Sequence, residues 1–286
     1  VKELNGLLAI AQEAADIGAK LMTTSAPGAV RAKGDRDYVT ELDVKIQHEI
    51  QDHLRRATPD IDFLGEEEGG GAIDESTEYV WALDPIDGTS NFAHGIPLCA
   101  TSLALVHRGE PVVGVIATPF LNLRYHATKG GGAYCNDKPI HASETTDLSR
   151  AIVSVGDYAT GEGAAEKNRR RFAVTQTLAE NVERVRMFGA ASIDLAWVAE
   201  GRTDACVILS NKPWDIAAGV LLARQAASTI SDLAGAPHDI GSRETVATCR
   251  SLAVPITEIF SALHSGEPVY FRQAAFPPPF PGTRSI

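Results

Sequence analysis

Apolar residues at Leu4, Leu7, Leu8, Ala11, Ala14, Ala15, Gly18 and Leu21 recur at helical spacing, so residues 3–24 read as a helix that Pro27-Gly28 ends. A second helix is expected from Glu41 to Arg56. Thr40 is its N-cap, and Val44, Ile46, Ile50 and Leu54 form its stripe. Tyr79 to Leu83 reads as a strand stopped by Asp84-Pro85. Thr101 to His107, a turn at Arg108-Gly109-Glu110, Val112 to Ala117 and Leu123 to Thr128 make a β-meander, and the region after Gly130-Gly131-Gly132 continues it. Beyond residue 150 the pattern changes. Ile152 to Val155 and Asp204 to Leu209 read as strands. Residues 164–181, residues 190–200 and Ile216 to Ala227 read as helices. The fold class is therefore α/β, with an α+β first half (1–150) and an α/β second half (151–270). The tail, 271–286, holds Phe276-Pro277-Pro278-Pro279-Phe280-Pro281 without periodicity. It is expected to be extended or disordered, or added to the natural chain.

Composition narrows the function. The 286 residues include 26 Lys+Arg against 37 Asp+Glu, a net charge of −11, which disfavours nucleic acid and anionic membrane surfaces as partners. An anionic small substrate then needs a local reversal of the field, which a metal ion supplies. Cys99, Cys135, Cys206 and Cys249 are scattered, with no CxxC pair, as expected of a reduced, cytoplasmic protein. The chain opens on Val1, and its first residues show no signal-peptide pattern. No HxH or HExxH spacing occurs, so zinc is not expected. Gly130 to Gly132 read as a hairpin turn and not a phosphate loop.

The chemistry concentrates in Trp81 to Asn91, WALDPIDGTSN. An apolar strand delivers Asp84 at its end, Asp87 follows three residues later, and Asp87 or Thr89 could cap a helical segment. Two hard carboxylates beside free N–H groups suit a divalent cation carrying a phosphate. The same residues would equally make an exposed turn. Upstream, Gly65-Glu66-Glu67-Glu68 is an acidic run that could be a solvated loop, like Asp74 and Glu75. Asp43 and Asp215 both lie near helix starts, where plain capping would also place them.

These four signals in this order resemble the inositol monophosphatase family of metal-dependent, lithium-sensitive phosphatases. The matching pieces are D-x-V-T-x-x-D from Asp37 to Asp43, G-E-E from Gly65 to Glu67, W-x-L-D-P-I-D-G-T-x-N-F from Trp81 to Phe92, and W-D-I-A-A-G from Trp214 to Gly219. Met187-Phe188-Gly189 and Thr118-Pro119-Phe120 look like actinobacterial members. The resemblance implies a layered αβαβα sugar-phosphatase fold, a homodimer, and two or three Mg²⁺ per active site. It places one ion on Glu66, Asp84 and the Ile86 carbonyl, a second on Asp84, Asp87 and Asp215, and a weaker third on Glu66. Mg²⁺ takes oxygen ligands and keeps several waters, in keeping with such a set. Thr89, backed by Asp43, would orient and deprotonate a metal-activated water. Gly88 and Thr89 would hold phosphate oxygens, and Asp87 with the Gly189-Ala190-Ala191 backbone would meet the polyol.

The implied activity is hydrolysis of a small phosphomonoester, foremost inositol 1-phosphate. Histidinol phosphate, fructose 1,6-bisphosphate and 3′-phosphoadenosine 5′-phosphate are alternative substrates. A catalytically idle metal-binding scaffold is the non-enzymatic alternative, opposed by the intact acidic set. Many relatives carry a Glu seven residues before the WD aspartate, where this chain has Ile208. An apolar side chain there cannot accept a hydrogen bond from an inositol hydroxyl.

Overall fold

In the computed structural model, which describes residues 4–34, 37–67, 73 and 76–265, the first apolar stripe forms α1 (Leu4–Thr24). A hairpin of β1 (Val30–Gly34) and β2 (Asp37–Thr40) leads directly into α2 (Glu41–Ala57). Then come β3 (Asp62–Gly65), β4 (Val80–Asp87), a single turn α3 (Thr89–Ala93), and the meander β5 (Ala100–His107), β6 (Glu110–Thr118), β7 (Leu123–Thr128), β8 (Gly132–Cys135) and β9 (Lys138–Pro139). The second half contributes β10 (Ile152–Val155), α4 (Ala164–Asn181), β11 (Arg184–Arg186), α5 (Ala191–Ala199), β12 (Ala205–Ile208), α6 (Pro213–Gln225), β13 (Thr229–Ser231), β14 (Thr245–Thr248) and α7 (Ala253–Ser265).

Strands β3 to β9 form a seven-stranded sheet in sequence order, antiparallel except where β3 pairs parallel with β4. The second sheet runs β11-β10-β12-β14-β13, with both β10 pairings parallel. The large sheet is apolar on both faces because alternate residues serve two cores. Trp81 and Leu83 join Leu7, Ile46 and Ile50 under α1 and α2. Val80 and Ala82 join Ile193, Ala217 and Leu221 under α5 and α6. The far side of α5 packs Leu195 and Val198 on Cys206, Ile208 and Ala247 of the small sheet. Its other face is covered by α4 and α7 through Val174, Leu178, Ile256 and Phe260. The layers are α1/α2, large sheet, α5/α6, small sheet, α4/α7, the five-layer αβαβα order expected.

The structure corrects several local expectations. β4 does not stop at Leu83 but runs through Asp84-Pro85 to Asp87. A bulge absorbs the proline. Asp84 pairs with Ser102 and Asp87 with Ala100, so three steps on β4 match two on β5. The Pro85 carbonyl is met by the Thr101 hydroxyl at 2.9 Å. α6 begins at Pro213, three residues before the expected Ile216, because proline is well placed in a first helical turn. The sequence pattern does not mark the hairpin β1–β2, strands β3, β11, β13 and β14, or helix α7; β1, for one, is exposed throughout and so carries no apolar alternation. The Gly130–Gly132 turn does join β7 to β8. Glu68, Asp74, Glu75 and residues 271–286 lie outside the described residues.

Helices α5 and α6 meet through Gly219, where an added Cβ would stand 2.5 Å from the Leu195 Cβ. Gly219→Ala should therefore lower stability, since overpacking costs about 1–3 kcal/mol and the helix-propensity gain of about 1 kcal/mol offsets only part of it. Gly6→Ala in α1 has no atom within 4 Å of the new Cβ. It should raise stability by up to about 1 kcal/mol. Urea midpoints of the two variants against wild type check the pair: opposite shifts are expected.

Candidate active site

Strand register builds the first part of the site. The parallel pairing sets Gly65 against Leu83, and the Glu66 N–H donates to the Leu83 carbonyl at 3.1 Å. Glu66 therefore leaves β3 beside Asp84 of β4. The bulge does the rest. Directly opposed residues of an antiparallel pair share a face, so Asp84 and Asp87 both project to the side of Ser102 and Ala100, toward α6. Without the extra residue, a spacing of three would put them on opposite faces. Asp215 arrives from that side in the first turn of α6.

One carboxylate oxygen from each of Glu66, Asp84 and Asp215 lies within 4.8 Å of the others. Asp84 is buried, and its Oδ1 has no hydrogen-bond partner. Burial pushes the Asp84 carboxyl well above its usual range, and the charges of Glu66, Asp87 and Asp215 push the same way. Asp215 is raised well above the ordinary range by burial, then by Asp87 and Glu66, with Lys212 and Lys33 opposing. Crowded hard oxygens with an orphaned acceptor fit a divalent cation such as Mg²⁺.

Asp87 is tied differently. Its Oδ1 accepts from the Ala191 N–H at 3.2 Å, and its Oδ2 from the Ser192 N–H at 2.7 Å and the Ser192 hydroxyl. The carboxylate sits on the N-terminus of α5, where the helix dipole favours a negative charge. Neither Asp87 nor Thr89 caps α3, as the sequence had led us to expect. Gly88 is the N-cap, at φ +86°, where a Cβ would stand 2.8 Å from the Leu98 carbonyl oxygen. Burial raises the Asp87 carboxyl to about 6 against the three hydrogen bonds that lower it. The Ala191 N–H and the Ser192 hydroxyl are thus engaged within the chain. Gly189 and Ala190 border the cavity in front of Asp87.

Asp43 divides its two oxygens. Oδ2 accepts from the Thr40 N–H at 3.0 Å and from the Thr40 hydroxyl, closing a capping box at the start of α2. Oδ1 accepts from the Thr89 hydroxyl at 3.1 Å. That hydroxyl also lies 3.0 Å from the Ile86 carbonyl, and its single hydrogen serves one acceptor at a time. Burial raises the Asp43 carboxyl, the hydrogen bonds from Thr40 and Thr89 oppose this, and the Glu66 charge adds to it. Capping and the Thr89 contact are therefore one arrangement.

Four neighbours of the cluster had no role assigned from the sequence. Lys33 reaches from β1 to Glu66 at 3.1 Å and Glu67 at 2.7 Å. Burial opposes its charge, but the two glutamates outweigh burial and raise its pKa. Glu67 is pushed up to about 7, by burial first, with the Lys33 hydrogen bond opposing. Gln47, a polar residue on the apolar side of α2, accepts from the Glu67 N–H at 2.9 Å, and its Oε1 lies where a Cβ on Gly65 would be. Ser192 fixes Asp87. Of these, Gln47 alone breaks a pattern that sequence reading could have caught.

Ile208 is 5 % exposed and packs on the α5 side while also lining the cavity beside Asp87 and Asp215. It presents hydrocarbon to the cavity beside those two acids.

The model of the inositol monophosphatase family matches residues 3–264. The probable inositol 1-monophosphatase ImpA of Mycobacterium tuberculosis is 39% identical over 243 residues, which is 85% of this chain and 88% of that protein. A fructose-1,6-bisphosphatase/inositol-1-monophosphatase of Thermotoga maritima is 36% identical over 202 residues, 71% of this chain and 74% of that one. The solved inositol monophosphatase of Anabaena (Nostoc) superposes with a TM-score of 0.78 at 31% identity, covering 90% of this chain and 96% of that one. A five-layer fold, an acidic cluster at the end of β4 and a family match over nearly the whole length agree: this chain belongs to the inositol monophosphatase family and is a phosphoric monoester hydrolase.

Proposed function

We propose that the protein hydrolyses inositol 1-phosphate or a closely related phosphorylated polyol in a Mg²⁺-dependent reaction. The observation that carries this reading is the hydrogen-bonded chain Thr40–Asp43–Thr89, buried at Thr40 and Asp43 and half-buried at Thr89, close enough to the Glu66, Asp84 and Asp215 cluster for the Glu66 charge to act on Asp43. Glu66, Asp84, Asp87, Asp215 and the Ile86 carbonyl would hold the metal, two or three ions in all. When bound, Mg²⁺ neutralises phosphate charge and acidifies water.

The chain's own groups supply the rest. Thr40 occupies Oδ2 of Asp43, so Oδ1 alone faces Thr89. Thr89 donates its hydrogen to Oδ1 and leaves its lone pairs for the hydrogen of an incoming water. A proton taken by Thr89 passes on to Asp43, whose raised pKa makes it a better base than an ordinary carboxylate. The N–H groups of Gly88 and Thr89 stand at a helix start, where no intrahelical acceptor exists, and serve the phosphate oxygens. Asp87 holds α5 in place, so that Gly189, Ala190 and Ala191 line the polyol side. The four cysteines are buried and free, which fits a reducing cytoplasm. No helix among the described residues is long and apolar enough to cross a membrane. A homodimer completes the reading by likeness to the family.

Chelation with EDTA should abolish phosphate release and added Mg²⁺ should restore it; full turnover in chelator contradicts the reading. Thr89→Ala and Asp43→Asn should each lower kcat by about 10²–10⁴, the range for a positioned base. Because they serve one proton, the double variant should lose little more than the worse single. Fully multiplicative losses in steady-state assays would separate the two residues.

Stability should report the same cluster. Asp84 and Asp215 have folded pKa values well above their unfolded ones and Glu67 is raised to about 7, so the metal-free folded state keeps protons that the unfolded state has lost. Its stability must then fall as pH rises through neutrality. Below about 6.5, the model-peptide pKa of histidine, the buried and neutral His126 and His238 act in the opposite direction. Thermal melts at pH 6.5 and 8 isolate the carboxylates. The EDTA-treated protein should melt lower at pH 8, and Mg²⁺ should raise the melting temperature more at pH 8 than at pH 6.5.

A further inference from the structure

Helix α2 buries two polar side chains, Asp43 and Gln47, each 1 % exposed. Four residues apart, they lie on one face of the helix, one turn above the other. Around them Leu42, Ile46, Ile50 and Leu54 are core. Asp43 Oδ1 meets the Thr89 hydroxyl at 3.1 Å. Gln47 takes no part in that contact. A primary amide set among hydrocarbon is costly unless it is hydrogen-bonded. The bond that Gln47 makes is to the main chain of the acidic turn: its Oε1 accepts from the Glu67 N–H at 2.9 Å. An N–H needs an acceptor, so the oxygen end of the amide faces the turn.

That bond matters because of where it falls. β3 is the edge strand of the large sheet, and it ends at Gly65. The Glu66 N–H donates to the Leu83 carbonyl of β4 at 3.1 Å, and the next N–H, that of Glu67, donates to Gln47 of α2. The two peptide units that flank the Glu66 Cα are therefore both pinned, one to the sheet and one to the helix. Pinning both fixes the direction in which the Glu66 side chain leaves the backbone. The fit is close: a Cβ on Gly65 would overlap the Gln47 amide. Lys33 does not replace this anchor. It grips the ends of the Glu66 and Glu67 side chains, and it does so from β1, a strand exposed along its whole length. Glu66 is the one member of the acidic cluster held from α2, and Asp43 lies one turn away on the same helix.

We propose that Gln47 is a positioning residue for the cation site: its amide holds the Glu66–Glu67 peptide so that the Glu66 carboxylate stays beside Asp84 and Asp215, and α2 thereby sets both the metal carboxylate and the Asp43–Thr89 pair. The proposal rests on the metal-dependent reading above. Titration calorimetry with Mg²⁺ alone, without substrate, tests it. Gln47→Leu keeps the bulk and removes the acceptor. It should raise the Mg²⁺ Kd about tenfold or more, the scale for losing a hydrogen bond that orients a metal ligand. The Mg²⁺ concentration for half-maximal hydrolysis of inositol 1-phosphate should rise by the same factor, with most of the lost rate recovered at saturating Mg²⁺. Gln47→Glu keeps an acceptor oxygen and should hold the Kd within about threefold of wild type or below it. Ile50→Val, a core truncation on the same helix, should lower the melting temperature and leave the Kd unchanged, which a merely structural role for Gln47 would not distinguish. Gly65→Ala drives the amide from its place without altering α2 and should weaken Mg²⁺ binding as Gln47→Leu does; it keeps the test valid where Gln47→Leu fails to fold. A wild-type Kd in folded Gln47→Leu or Gly65→Ala, or an equal loss of affinity in Gln47→Glu or Ile50→Val, would overturn the positioning role while Mg²⁺ binding and turnover by wild type leave the metal-dependent reading intact. A wild type that binds no Mg²⁺ would overturn that reading and the positioning role together.

Discussion

Mutual repulsion among buried carboxylates is the constraint around which the rest of the molecule is arranged. Asp84 has an oxygen with no partner, while Glu66, Asp87 and Asp215 all raise the cost of its charge. Such a group is tolerable neutral, or ionised beside a cation. Lys33 and Lys212 supply part of that charge from the edge, at 3.1 and 4.0 Å from Glu66. A divalent ion at the centre would supply the rest. The stability of the folded chain and the chemistry of the site are then linked by one electrostatic balance.

Rigid elements hold that balance in place. Glu66 and Asp84 are fixed by strand register, Asp87 by the bulge and by the first N–H groups of α5, and Asp215 by the first turn of α6. Asp87 links the end of the large sheet to the helix that carries the small one, so the site spans both halves of the fold. Asp43 likewise closes α2 with one oxygen and meets Thr89 with the other. In each case a group that stabilises local structure also fixes the position of a neighbouring polar group of the site, which is how a fold achieves preorganisation without dedicated scaffolding.

The cavity beside the acids has a mixed lining. Ile208 gives the cavity a hydrocarbon surface beside the acids, and α4 gives it positive charge.

The sequence by itself determined the helices of the first half, the meander and the identity of the acidic residues, because apolar periodicity and the Asp84–Thr89 motif are local properties; the order of the layers followed only from the family resemblance. It also placed Asp43, Glu66 and Asp215 as candidates, while leaving each readable as a cap or a solvated acid. Only the tertiary structure shows what each of these residues faces. Whether Asp84 and Asp87 share a face depends on a bulge that exists only in pairing with β5. Whether Asp87 caps α3 or anchors α5 depends on contacts across 104 and 105 residues of chain. Lys33 finds Glu66 and Glu67 through contacts across more than 30 residues of chain. Periodicity reports what a residue does within its own element; charge pairing and burial belong to the residues that folding brings near, and those are not adjacent in the chain.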